Sequence, residues 1–342
     1  MMQPLVDTRR VAQGQEGVAR PVSLPVRVAR NMALQDWVLV LYFGFMLLAL
    51  VCSSSPDRRA AFETVIVDLG VLVAAMTLVR GELLREGSWL SGMVYRAGIF
   101  APVFLSYFQL RDILPAVTTQ TLDAEIYAFD MRVFHYEPSV AWDRFVTPAT
   151  TEWFAFFYFL YFFILSVHVL PFLLFAKDTR LFRHFALGIF LVFCTAHLLY
   201  MAVPGFGPYK WMHFEHELEG GFFWRAVLDT VHAGGAFKDI FPSLHTAAPT
   251  YLTLFSFVHR DKAPFKYTWP VMAFVVSQIV IATMFLRWHY LVDIVAGLIL
   301  AATAVLISRR LVQVEWAWRE GTGLPHVFGP APLRPLLPRR FL

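Results

Sequence analysis

Charge is what this sequence has least of. Only 16% of its 342 residues are Asp, Glu, Lys or Arg, against about 25% in an ordinary soluble domain. A chain so poor in charge cannot cover a single water-facing globule, which excludes a cytosolic enzyme and a disordered protein. Cysteine is nearly missing as well. Cys52 and Cys194 are its two, so there is neither a disulfide scaffold nor a C-x-x-C metal-ligand spacing. Both sit in apolar runs, where a thiol behaves as a small buried hydrophobe. What abounds is apolar: 58% hydrophobic residues, with 34 Phe and 10 Trp. The composition implies an all-α, polytopic transmembrane helical bundle. In such a chain the formal charge of +4 speaks to topology rather than to nucleic acid.

A helix needs roughly 20 mostly apolar residues to cross the hydrocarbon layer. Good candidates are Trp37–Cys52, Val65–Val79, Trp153–Phe175, Phe185–Val203, Tyr267–Leu286 and Leu291–Ser308. Two weaker ones are Ala97–Leu110, which contains Pro102, and Ser243–Val258, which carries His245 at one end and meets His259 and Arg260 at the other. The expectation is about eight spans, with six as the lower bound. If all eight cross from a cytoplasmic N-terminus, 20 of the 29 Lys and Arg fall inside, as the positive-inside rule favours. Residues 1–36 then read as a cytoplasmic leader without the marks of a signal peptide. Residues 37–110 hold the N-terminal spans, 111–152 an extracytoplasmic loop, 153–308 the catalytic core, and 309–342 a cytoplasmic tail. No internal repeat is evident.

Two long loops face the same outer side, Arg111–Glu152 and Pro204–Pro242, and loops of that length usually carry function. The second opens Pro204-Gly205-Phe206-Gly207-Pro208, followed by Tyr209, Lys210 and Trp211. Here Gly207 would let backbone approach a ligand closely, and a bare turn is the plainer alternative. The loop ends at Phe241-Pro242-Ser243-Leu244-His245, where a helix should begin. Free amides at that helix start, with the Ser243 hydroxyl, form a candidate oxyanion cradle, and His245 stands on its rim.

Forty-four residues later comes Arg287-Trp288-His289-Tyr290-Leu291-Val292-Asp293. Two spans separate His245 from His289, so both return to one face. If the last span begins near Trp288, His289 and Asp293 stack on one helix face four residues apart. The carboxylate would take Nδ1–H and leave Nε2 free as a nucleophile. Arg287 offers a planar fork for two phosphate oxygens, or else is an interfacial snorkelling cation. Together these groups suit metal-free phosphoryl transfer: His289 as nucleophile oriented by Asp293, His245 as general acid, and Ser243, Arg287, Lys210 and Gly207 around the phosphate.

Pro242-Ser243-Leu244-His245, followed two spans later by His289 and Asp293, resembles the type 2 phosphatidic acid phosphatase superfamily. The resemblance spans about Trp153–Ser308 and implies a helical bundle using the His pair and Asp in the roles just given, without cofactor or metal. The superfamily's first motif, a Lys and an Arg-Pro separated by six residues, is absent: seven residues after Lys210 stands Glu217, and Thr283 occupies the place of a further Arg. The Gly-Pro segment, the His-Tyr-x-x-Asp run and the Asp123–Pro138 stretch resemble instead the inositol phosphorylceramide synthase-like branch. That branch implies transfer of a phosphoinositol-like headgroup from a phospholipid donor to a lipid alcohol such as ceramide. With water as acceptor, the same site would be a lipid phosphate phosphatase acting on phosphatidic acid or a prenyl phosphate.

Two other classes compete. His213, His216, His232, His245, His289 and Asp293 all face outside, and a metal site drawn from them would have its only short spacing at His213 and His216. Asp68, His168 and His197 lie inside spans and could mark a transport path, although each reads more simply as an interhelical hydrogen-bonding residue. Trp211, Trp224 and Trp288 are expected near the headgroup level.

Overall fold

The computed structural model describes residues 22–324 together with Val327 and Phe328. Most of the expected leader, residues 1–21, and the far end of the expected tail lie outside the described residues. Thirteen α-helices and no strand occur among those described, the all-α bundle that composition implies. They are α1 (Leu24–Asn31), α2 (Leu34–Cys52), α3 (Arg58–Arg80), α4 (Trp89–Val117), α5 (Asp123–Val133), α6 (Pro138–Ala141) and α7 (Pro148–Phe175). Then follow α8 (Thr179–Ala202), α9 (Pro208–Trp211), α10 (Phe222–Gly234), α11 (Leu244–Val258), α12 (Phe265–Phe285) and α13 (Leu291–Thr322).

Six helices, α2, α3, α7, α8, α12 and α13, are long and apolar enough to cross a membrane unaided. The two weaker expectations correspond to α4 and α11. Helix α4 runs unbroken for 29 residues through Pro102 and Pro115, well beyond Ala97–Leu110. It starts at a Ser88 cap that accepts from Ser91 N, and its buried Arg96 donates to the carbonyls of Phe172, Leu173 and Ala176. It thereby satisfies the open C-terminal end of α7. Helix α11 has 15 residues, about 22 Å of rise, and packs against α7, α8, α12 and α13. Protein rather than lipid surrounds it, so it needs no full apolar length of its own.

The helix starts follow local chemistry. Thr147 before Pro148 accepts from Thr150 N, Asp178 accepts from Leu181 N and Ser243 accepts from Thr246 N, each cap worth about 1 kcal/mol. At the end of the bundle away from the two long loops, charges are buried in pairs. Arg80 meets Asp36 at 2.7 Å, and Glu315 takes Arg183 at 2.6 Å and Arg319 at 3.1 Å. Arg319 also donates to the carbonyls of Asn31 and Met32, tying α13 to the end of α1. Because of this layer α13 does not stop at Ser308. It continues to Thr322, 32 residues in all or about 48 Å. Part of the expected leader is likewise ordered as α1, packed on α3.

Among the residues read as interhelical, His197 Nδ1 lies 2.8 Å from Tyr42 Oη on α2, and that hydroxyl donates to Ser106 on α4. Asp68 bonds Gln109. His168 differs: its Nδ1 pairs with the Ile164 carbonyl of its own helix at 2.9 Å.

Candidate active site

At the loop end of the bundle lies a cavity of about 440 Å³. Its walls come from α4, α7, α8 and α10, and its floor from the first turn of α11 and the turn between α12 and α13. His245 and His289 both line it, as does Trp288. The two histidines, separated by the α11–α12 pair, thus meet in one space.

The turn carrying His289 is built by backbone. Helix α12 ends as Arg287 takes a left-handed conformation, φ +65°, while Trp288 N and His289 N both donate to the Thr283 carbonyl. Helix α13 begins only at Leu291, so His289 and Asp293 do not stack along one helix face as expected. Asp293 is instead a capping residue: its Oδ2 accepts from Tyr290 N at 2.9 Å and lies 3.4 Å from His289 Nδ1. Asp293 is fully buried and its Oδ1 has no partner. The Asp293 carbonyl accepts from Ser243 N at 3.1 Å. Gly297 keeps that contact close, since a Cβ there would lie 2.8 Å from the Ser243 carbonyl.

His245 stands between two aromatic rings. Its imidazole stacks on Tyr158 at 4.2 Å and 13°, and Tyr161 is 4.1 Å away. Nδ1 is 3.4 Å from the Tyr158 hydroxyl, while Nε2 is buried without a hydrogen-bond partner. The indole N–H of Trp288 is also unpartnered. Buried polar atoms are normally satisfied. Two such atoms on one cavity wall therefore mark places for a polar ligand.

Several other expected positions have different work. Ser243 is fully buried and absent from the cavity wall; its hydroxyl caps α11. Arg287 does not face the cavity: its Nη2 lies 2.6 Å from Asp143 and donates to the His216 carbonyl, while the guanidinium covers the Phe214 ring at 3.8 Å. The positive φ of its backbone turns the side chain away from where a helical Arg would point. Gly207, φ +81°, allows approach to protein rather than ligand, since a Cβ there would sit 2.3 Å from the Trp288 carbonyl. Its N–H donates to Asp123 at 2.9 Å. Lys210 is exposed, with Nζ 4.2 Å from the centre of Phe206, a ring that lines the cavity.

Sequence reasoning missed an acidic frame behind the histidines. Asp123 accepts from the N–H groups of Phe206 and Gly207 and from the Tyr290 hydroxyl. Asp130 accepts from Val292 N at 3.1 Å, filling the start of α13. Burial pushes the Asp130 carboxyl up to about 6 and that of its neighbour Glu137 up to about 7. Glu152 caps α10 through three amides, those of Gly221, Phe223 and Trp224. The tyrosines at the cavity, Tyr107, Tyr158, Tyr161 and Tyr200, and the carboxyl of Asp239 were also missed. No local motif announces them, although Asp239 lies only four residues before Ser243.

Of the histidines considered for a metal, His245 and His289 share the cavity and the others lie outside its lining. His213 and His232 are exposed. Among the described residues, Asp143, Glu215 and His216 bring donor atoms within 4.8 Å of one another, but Arg287 already neutralises Asp143. This group contains neither His245 nor His289. Of the three tryptophans, Trp211 is exposed, Trp224 is buried, and Trp288 lines the cavity.

A family model described as PAP2 superfamily matches residues 124–307. No curated protein and no solved structure gives a match.

Proposed function

The chain belongs to the PAP2 superfamily, and from that premise we propose that it is a membrane lipid phosphotransferase working through a phosphohistidine. Membership itself makes it a lipid enzyme of the phosphatase or phosphotransferase type. The finer reading, that of the inositol phosphorylceramide synthase-like branch, moves a phosphoinositol-like headgroup from a phospholipid to a lipid alcohol such as ceramide. The observation that carries the proposal is the unpartnered Nε2 of His245 in the same cavity as His289, whose Nδ1 faces the buried Asp293.

In the first step His289 Nε2 attacks phosphorus and the bond to the donor's lipid oxygen breaks. His245 gives its Nε2 proton to that leaving oxygen, and the Asp293 carboxylate takes the hydrogen bond of Nδ1–H, stabilising the charge formed on the ring. In the second step the acceptor hydroxyl loses its proton to His245 as its oxygen attacks phosphorus, and the P–N bond to His289 breaks. A cavity of about 440 Å³ is within the size range of small-molecule sites and offers room for a headgroup beside the phosphate. Its aromatic walls favour a lipid alcohol over water as acceptor. On this reading the cavity end faces the extracytoplasmic side, and the arginine-rich end, both termini included, faces the cytoplasm. The chemistry is metal-independent.

The test uses the purified full chain in mixed micelles with headgroup-labelled phosphatidylinositol and ceramide. The expected result is labelled transfer product, little free inositol phosphate, full activity with a chelator present, and loss of about 10³-fold or more in His289→Ala. Release of inorganic phosphate from phosphatidic acid, without transfer, would establish the phosphatase reading instead. Activity retained in His289→Ala would overturn both.

A further inference from the structure

The cavity is short of the one thing a phosphate site usually has. Among its lining residues none is Lys or Arg, whereas two, Asp229 and Asp239, are acidic. None of the nearby cations enters the lining, although Lys210 lies over two rings that do, Phe206 and Phe237. Arg111 donates to the Ala233 carbonyl, Lys238 to the Thr118 carbonyl, and Arg287 pairs with Asp143. The Asp239 carboxyl is close enough to His289 and to Tyr107, Tyr158, Tyr161 and Tyr200 to interact with each electrostatically. It lines the same cavity as both histidines and is half-buried there. Burial pushes that carboxyl up by more than His289 beside it pulls it down, so the repulsion it exerts is that of its ionised form and grows as pH rises.

A phosphomonoester carries close to two negative charges at neutral pH, because its second pKa is about 6; a phosphodiester carries one. An extra charge a few ångströms from a carboxylate, at the effective dielectric of partly buried sites, changes affinity by about one to two orders of magnitude. No fixed cation in the lining offsets that repulsion. The carboxylate is at the same time an acceptor for hydroxyl groups, which a polyol headgroup or an alcohol acceptor would bring.

We propose that Asp239 is a specificity-determining residue, a charge filter that keeps phosphomonoester dianions out of the His245–His289 cavity and admits phosphodiesters with hydroxyl-bearing headgroups. The proposal rests on the function assigned above and goes beyond it in naming the charge class of the substrate and the residue that selects it. Asp239 sits on the loop between α10 and α11, apart in sequence from the turn that carries His289 and the Asp293 cap, and comparing two substrates separates selection from a general effect on His289.

The experiment compares kcat/KM for phosphatidylinositol and for phosphatidic acid, and inhibition by inorganic phosphate, in the full-length wild type, Asp239→Asn, Asp239→Glu and Asp229→Asn. Asp239→Asn is expected to shift the ratio about 10- to 100-fold toward the monoester and to tighten inhibition by inorganic phosphate. Asp239→Glu, which restores the charge, should keep the wild-type ratio. A wild-type ratio in Asp239→Asn, an equal loss on both substrates, or the same shift in Asp229→Asn would each overturn the filter. Wild type with no turnover of phosphodiesters would count against the function itself, and inhibition by inorganic phosphate would still test the charge filter.

Discussion

The two ends of the bundle bury charge in opposite ways. At the end where α13 overruns Ser308, the buried carboxylates Asp36 and Glu315 each have a cation among the described residues: Asp36 has Arg80, and Glu315 has both Arg183 and Arg319. At the cavity end, polar atoms are buried and left over, including His245 Nε2, the Trp288 indole N–H and Asp293 Oδ1. A closed ion pair holds helices together and has nothing further to offer a ligand. An unpartnered atom costs about 1–3 kcal/mol, a cost that the remainder of the bundle offsets and that a bound ligand can recover. Arg80 and Arg183 each also leave one nitrogen without a partner, so what sets the cavity end apart is that its open His245 and Trp288 nitrogens share one space with His289.

The sharpest break in that contrast is Asp293→Asn. The cap on Tyr290 N can survive, but the anionic partner of His289 is lost, so transfer is expected to fall about 10²- to 10⁴-fold while thermal stability changes little. A comparable fall in stability would make Asp293 a structural cap and no more. Glu315→Gln attacks the opposite end. It removes the carboxylate that Arg183 and Arg319 share, and should cost about 3–5 kcal/mol, read by denaturation in detergent, with kcat per folded molecule unchanged. Lost activity with intact stability would show that the paired end also serves the reaction.

The acidic frame sharpens the comparison through pH. Asp130 and Glu137 stand at about 6 and about 7 in the folded chain, above their ordinary 3.8 and 4.5. A raised carboxyl binds more protons folded than unfolded, so its contribution is full below about pH 4 and is lost as pH climbs through the folded values. Stability should therefore decline between about pH 4 and 7 by roughly 1–3 kcal/mol per group, and Glu137→Gln should flatten the decline. An unchanged slope in that variant would dissociate Glu137 from it. The smallest effect is that of Ser243→Ala, about 1 kcal/mol of stability for the lost α11 cap, with activity within a few-fold. A hundredfold loss of turnover at wild-type stability would return Ser243 to the phosphate.

Legibility divided along the same line. His245, His289 and Asp293 were readable because span parity brings two distant positions to one face and a four-residue spacing keeps a pair together. The mode of the pairing was not: a cap at Tyr290, not a shared helix face, holds Asp293 beside His289. Arg287 looked like a phosphate ligand by composition, yet its partner Asp143 lies 144 residues away in sequence. Gly207 needed its freedom for the Trp288 backbone. Asp239 had no spacing to flag it, since its place depends on how the α10–α11 loop folds over the histidines.

The sequence by itself determined the bundle, six of its expected spans and the return of three chemical groups to one end, because apolar run length and crossing parity are one-dimensional quantities. Only the tertiary structure decided which charges were paired, which polar atoms were left open and what lines the cavity. Those outcomes depend on distances of a few ångströms between loops far apart in the chain, which periodicity and spacing do not encode.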